Sequence, residues 1–305
     1  MDHRHLALLW ELSERGTVTA VARATHRTPS AVSQQLRTAQ REFGVPLVEP
    51  DGRGLRLTEA GQVLAAGGRE LARVTERIQA AWDGFLGQPT GRVTVAALPS
   101  AASVLLPGVL DELSAGAIEL QCADVDVAES AYAELVGDHD IVIAHSLTRR
   151  APAGTEGLVS IRLAREPLDI ALDVDHPLAR RTELTPDLLA DQEWVGVPIG
   201  FPFDTVRLAV EAANGAEVRV VQRIRDNLLV EALIEGTERV AVLPRFTCPH
   251  SPQVVLRPLR VVDAARYIFA ILRPDRAERL AVRTVLDSLQ HHASRLTQGL
   301  PGSRP

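Results

Sequence analysis

The sequence predicts an α/β protein made of a small helical head, one long helix and two α/β lobes. Three observations lead there. Residues 17–44 hold two helical patterns around a tight turn at His26-Arg27. From Leu57 to Phe85 an apolar or small residue recurs at alternating spacings of three and four. Past a hinge-like run, Gly87-Gln88-Pro89-Thr90-Gly91, apolar strand-like runs alternate with helical patterns to the end of the chain.

Each element follows from local chemistry. Residues 5–14 form a helix with Leu6, Leu9 and Trp10 on one face, stopped by Gly16. After the short alanine-rich helix, Thr28 is a good N-cap and Pro29 fits a first helical position that needs no amide hydrogen. Gly44 supplies the left-handed residue that ends this third helix. Strands at 46–48 and 55–57 flank Asp51-Gly52-Arg53-Gly54, which is turn chemistry, giving a wing tipped by Arg53. A winged helix-turn-helix is therefore complete within residues 1–60. Thr58 caps the long helix, a linker over 58–86. Its seam is Leu57, Ala60, Leu64, Gly67, Leu71, Val74, Ile78, Ala81 and Phe85, a heptad pattern over on the order of 40 Å. So narrow a stripe needs a second helix to bury it, and a homodimer is expected. Gly67 and Gly68 each cost about 1 kcal/mol relative to alanine yet permit close helix approach.

Strands are expected at 92–98, 118–123, 140–144, 159–163, 168–172, 195–197, 218–222, 240–243 and 267–272, with helices at 104–113, 127–136, 205–213, 227–234 and 277–288. Alternation of this kind predicts mostly parallel sheets covered on both faces. Residues 92–292 divide into lobe I, about 92–162 and 266–292, and lobe II, about 163–265, with the last strand and helix returning to the first lobe.

Composition narrows the function. The chain has 305 residues, 46% of them apolar, and a formal charge of −6, which argues against bulk coating of nucleic acid. Between Arg15 and Arg56, however, seven arginines face three acids. A small basic patch on an acidic body suits selective binding assisted by phosphate contacts. All 33 basic residues are arginine. Cys122 and Cys248 lie far apart and are expected to be ordinary thiols in a reducing compartment. The start of the chain lacks the pattern of a secretory leader. Residues 93–110 are uncharged, but Pro99, Ser100, Ser103 and Pro107 break them, so no membrane span is expected and the protein is placed in the cytoplasm.

A helix-turn-helix with a polar second helix is how a protein enters the DNA major groove. Thr28, Pro29, Ser30, Ser33, Gln34, Gln35, Arg37 and Arg53 are the expected DNA-binding residues. Gln34 can donate and accept together and so pair with adenine N6 and N7. Ser30 and Ser33 serve a base or a phosphate equally, Pro29 offers apolar contact, and Arg37 and Arg41 suit phosphate.

Over essentially its whole length the chain resembles the LysR-type transcriptional regulators. The resemblance rests on AVARATHRTPSAVSQQL at 20–36, LRLTEAG at 55–61 and RVTVAALPSAASVLLPGVL at 92–110. DIVIAH at 140–145, HPLA at 176–179 and ERVAVLP at 238–244 support it. It implies a homodimer through the linker helix, often a dimer of dimers, that binds promoter DNA and senses a small molecule, with RNA polymerase as a further partner. It places base reading on Pro29, Ser30, Ser33 and Gln34 and the wing arginine at Arg53. The effector domain it implies is two-lobed and similar to periplasmic binding proteins. Departures from the family pattern are Thr25 for leucine, Arg27 for a small aliphatic residue, Val48 and Pro50 for phenylalanine and arginine, and Glu238-Arg239 for a glycine-containing turn.

In doubly wound sheets, ligands sit beyond the carboxyl ends of strands. Here that edge is Ser100, Ala101 and Ala102 in lobe I, where a hydroxyl and free amides suit a carboxylate. In lobe II it is Gly200, Phe201, Phe203 and Asp204; Asp124, Asp126 and His145 end other strands nearby, as the resemblance implies. An acid and two phenylalanines opposite amide donors suit an amino-acid-like effector. No cofactor and no metal site are expected, because His291-His292 and His3 to His5 lack nearby carboxylate clusters. Catalytic residues are not expected either: the chain has no G-x-S-x-G elbow, P-loop, H-E-x-x-H or complete G-x-G-x-x-G after a strand. The remaining alternative is a cytoplasmic solute-receptor-type protein without a DNA role.

Overall fold

The computed structural model describes residues 1–298 except 53, 88, 200, 202, 248–250, 261 and 263. Its head is formed by α1 (His3–Arg15), α2 (Val18–Ala24), α3 (Pro29–Phe43) and the hairpin β1 (Val48–Asp51) with β2 (Gly54–Leu57). Capping is local and complete: Asp2 accepts from Arg4 N at 2.9 Å, Thr17 from Ala20 N at 3.1 Å, and Thr28 from Ala31 N at 3.2 Å. The turn between α2 and α3 places His26 at φ 53°, the left-handed region, which lets the chain reverse in so few residues. Leu8, Leu9, Leu12, Val21, Val32, Leu36 and Leu47 form the head core, with Val48 packed at its edge.

Thr58 caps α4 (Glu59–Phe85), accepting from Gly61 N at 3.1 Å while its hydroxyl donates to Pro46 O at 2.8 Å. One face of α4 lies on its own chain. A Cβ on Gly61 would sit 2.1 Å from Leu47 O, and one on Gly68 only 2.3 Å from Leu6 O, so both glycines are required by close approach. Gly67 faces open space. The opposite face leaves Leu71, Val74, Ile78, Trp82 and Phe85 exposed, the last at 79%.

The remainder builds one curled sheet of nine strands in the order β4-β3-β5-β11-β6-β9-β7-β8, with β10 on the free side of β6. Lobe I holds β3 (Thr90–Ala97), α5 (Pro99–Leu113), β4 (Ala117–Asp124), α6 (Tyr132–Leu135), β5 (Ile141–Ser146) and the first half of β6 (Val159–Asp173). Lobe II holds the second half of β6, β7 (Glu193–Gly196), α7 (Asp204–Asn214), β8 (Arg219–Arg223), α8 (Asn227–Ile234), β9 (Val240–Pro244) and β10 (Val254–Arg257). Then β11 (Ala265–Leu272) and α9 (Leu280–Gln298) return to lobe I, where Ala281, Val282, Val285 and Leu289 join its core.

Three expectations change. The runs 159–163 and 168–172 are one strand, because β6 exchanges partners at Pro167: Pro167 is the last residue opposite β11, and Leu168 the first opposite β9. A proline lacking an amide is tolerated where the ladder changes hands. Sheets are not mostly parallel either, since β6 passes through both lobes, β11 returns beside it in lobe I, and the two pair antiparallel with β5, β9, β10 and each other. The expected helix at 127–136 shrinks to a 3-10 turn and the single turn of α6, while strand β10 was not foreseen. Among the described residues no helix is long and apolar enough to cross a membrane. Cys122 is exposed on β4, and Cys248 lies outside the described residues.

Candidate nucleic-acid interface and effector cleft

The exposed face of α3 carries most of the residues expected to meet DNA. Thr28, Pro29, Ser30, Gln34 and Arg37 are exposed there, and Ser33 is half-buried. Arg37 Nη2 donates to Gln34 Oε1 at 2.8 Å, which ties the exposed amide to its neighbour one turn on. Thr28 and Ser30 hydroxyls share a 3.0 Å contact beside the open amino end of the helix, where unpaired amides favour an anion. Gln35 departs from expectation. Its Nε2 donates to Arg4 O at 2.7 Å and its Oε1 accepts from Arg27 Nη1 at 2.5 Å, so the whole amide ties α3 to α1 and to the turn. This also explains Arg27 where a small aliphatic residue is usual. Thr25, the other departure in the turn, donates to Val21 O at 2.8 Å. Gln40, not foreseen, accepts from Leu47 N at 2.9 Å and anchors the wing. Arg53 lies outside the described residues.

Between the lobes is a cavity of about 280 Å³. Of the residues expected at the effector site, Ser100, Asp126, His145, Phe201 and Phe203 line it. Ala101 and Ala102 do not: their amides bond Leu98 O at 3.1 and 3.0 Å within the helix start, so they are not free donors. Gly200 lies outside the described residues. Asp204 is also unavailable as the opposing acid. It is 4% exposed and accepts from Arg207 at 2.7 and 3.1 Å and from Arg223 at 3.2 Å. Burial alone would raise its carboxyl, but those two guanidinium groups outweigh it and hold the group low.

The floor of the cavity is a residue the sequence reading missed. Arg266, 2% exposed, donates through Nε to Glu166 at 2.8 Å and through Nη2 to Ser100 Oγ at 2.9 Å and Thr247 Oγ1 at 2.5 Å. Glu166 is fully buried and also accepts from the amides of Phe246 and Thr247 at 2.7 Å each. A buried charge so completely bonded is tolerable, and it leaves Arg266 Nη1 without a partner among the described residues. His145 beside it makes no hydrogen bond among the described residues; burial, and then the Arg266 charge, push its pKa down to about 3, so the ring is neutral. Tyr132 meets His145 edge-on at 5.5 Å, and burial raises its phenol. At the mouth, Arg225 of lobe II stacks on Phe201 at 4.5 Å and reaches Asp126 of lobe I at 3.3 Å. Burial raises Asp126, while Arg225 pulls it the other way. The only forewarning of Arg266 in the sequence was a lone charge heading the apolar run 267–272. Among the described residues no three metal-binding side chains cluster.

Comparison with known proteins bears on both surfaces. Residues 3–62 match the bacterial regulatory helix-turn-helix model of the lysR family, and residues 86–294 match the LysR substrate binding domain. The chain belongs to the LysR family. The hca operon transcriptional activator HcaR of Escherichia coli is 25% identical over 265 residues, covering 85% of this chain and 87% of that protein. A full-length OxyR from Pseudomonas aeruginosa superposes with a TM-score of 0.66 at 16% identity over 100% of this chain and 99% of that one. Full-length CbnR in complex with its target DNA gives 0.53 at 17% identity, covering 96% and 100%. This LysR-type regulator is therefore a DNA-binding transcriptional regulator with a helix-turn-helix head and a substrate-binding domain, and its two candidate surfaces fall one in each matched segment.

Proposed function

We propose that this regulator reads promoter DNA with the exposed face of α3 and is controlled by a small carboxylate held in the inter-lobe cavity. The observation that carries the effector reading is Arg266, a buried guanidinium with both N–H bonds of Nη1 unspent among the described residues, set beside Ser100 and a neutral His145 at the end of a cavity walled by Phe201 and Phe203. A carboxylate head on that floor and an apolar body between the rings satisfy both ends. An amino-acid-like effector remains within this class. With Asp204 spent, its ammonium would have to take Asp126 from Arg225. Gln34 reads a base, Ser30, Ser33, Arg37 and the wing Arg53 meet phosphate or base edges, and Pro29 makes apolar contact.

The protein acts as a homodimer through the exposed face of α4, with a dimer of dimers on two half-sites. It works in the cytoplasm, is not an enzyme, and engages RNA polymerase at the promoter. Two measurements test this reading. A gel shift with the intergenic duplex upstream of its own gene should retard that DNA. Calorimetry of the full-length protein against benzoate, 2-oxoisovalerate, leucine and phenylalanine should give heat with at least one, lost in Phe203→Ala. Heat retained in that variant, or found only with amines or sugars, rules out the carboxylate cleft.

A further inference from the structure

The head does not hang free on α4; it is gripped by lobe I of its own chain. Arg273, one residue past the end of β11, is 2% exposed with its guanidinium 4.0 Å from the Trp10 ring centroid. Its Nη2 donates to Glu11 at 2.9 Å and its Nε to Asp275 at 3.2 Å. Glu11 is shared with Arg15 at 2.8 Å, and Arg15 in turn donates to Asp138 at 3.0 Å and to Gly137 O at 2.5 Å. Five side chains thus form one chain of charge-assisted contacts from α1 to two places on lobe I. The Trp10 indole N–H is buried there without a partner, so this contact gives up a hydrogen bond that water would supply.

Both grips are the far ends of elements whose near ends line the cavity. Arg266 near the start of β11 and Arg273 just past its end are seven residues apart, roughly 23 Å at strand rise. Tyr132 opens α6, and Gly137-Asp138 follow its C-cap Val136. β11 is also hydrogen-bonded to β6, the strand that passes into lobe II. The cavity and α1 are thus joined by two short covalent segments, one of them the sheet strand β11.

We propose that Arg273, with the Gly137-Asp138 turn, is a positioning device that holds the DNA-reading head on lobe I and carries the state of the cleft to α3. The inference rests on the cleft reading above. Coupling between two sites is a measurable factor and is lost when its physical link is cut. Ser103 is exposed and lines the cavity, so Ser103→Trp fills the cleft without entering the core. In the full-length protein, Ser103→Trp is expected to change the dissociation constant for the intergenic duplex by fivefold or more. In a Glu11→Gln, Asp138→Asn background, which keeps side-chain shape but cuts the charges, the same substitution should change it less than twofold. Should that background fail to fold by circular dichroism, Arg15→Gln, which cuts only the second grip, takes its place. Hydrogen exchange over residues 5–15 should be slower with the clamp intact. An equal Ser103→Trp effect in both backgrounds, or none in the native one, overturns the proposal. Ser103→Trp that abolishes ligand heat yet leaves duplex affinity untouched overturns only the coupling and leaves the cleft reading standing.

Discussion

Gln34 and Arg37 lie one turn apart on α3, bonded to each other, yet the duties proposed for them differ. Gln34→Ala should relax preference at one base pair, by about 1–3 kcal/mol between best and worst base, on a panel of operator variants. Arg37→Ala should weaken all sequences alike and reduce the salt slope by about one counterion. Equal loss of preference in both variants contradicts that division. His145 gives a pH prediction. Its folded pKa is near 3 against an ordinary 6.5, so between those values the unfolded chain binds the extra proton. Its contribution is complete above about pH 6.5 and declines as pH falls toward the folded value. Urea midpoints from pH 7 to 4 should fall less steeply in His145→Phe than in the native protein; parallel slopes would show that His145 is not held neutral. At this scale the helix caps were legible, because Thr28 meets an amide three residues away. Arg266 was not, since its partners Glu166 and Ser100 are 100 and 166 residues distant.

Among the elements, α4 carries most of the consequence, and its two adjacent glycines have opposite roles. Gly67→Ala meets nothing within 4 Å and should stabilise by roughly 0.5–1 kcal/mol through helix propensity. Gly68→Ala drives a methyl into Leu6 O and should cost roughly 1–3 kcal/mol as α1 is pushed off. Urea unfolding of both variants checks the pair, and equal signs would mean the α1–α4 approach is looser than described. The sequence presented the two as one ambiguity, because one residue along a helix is a rotation of about 100° and faces are told apart only by what packs on them. β6 was misread for a similar reason. Arg165-Glu166-Pro167 looks like a break, whereas it is the point at which a continuous strand changes partners.

For the whole molecule, the exposed stripe Leu71, Val74, Ile78 and Phe85 is the feature that reaches beyond one chain. Ile78→Asp places a charge in the seam proposed to bury these residues against a second α4. Sedimentation equilibrium should then show a shift toward monomer. Affinity for a two-half-site duplex should fall at least about tenfold, because the second reader is no longer held at high effective concentration. A dimer unmoved by this substitution would place the interface elsewhere. Heptad spacing made the stripe visible early. That its opposite face is occupied by the chain's own head and lobe I was not visible, since Arg73 and Arg77 meet Glu278 across some two hundred positions.

Caps, turn glycines, the wing and the spacing of the seam are written in contacts a few residues long, so residue type and spacing sufficed to read them, with most of the strands and helices, and to place the chain in its family. Which polar groups remain free is a different matter. Asp204, Gln35 and the Ala101 and Ala102 amides looked available but are consumed by neighbours. Arg266 looked incidental but became the floor of the cleft. A hydrogen-bonding group is defined by its partners as much as by its chemistry, and here those partners are brought together only by long-range folding of the chain.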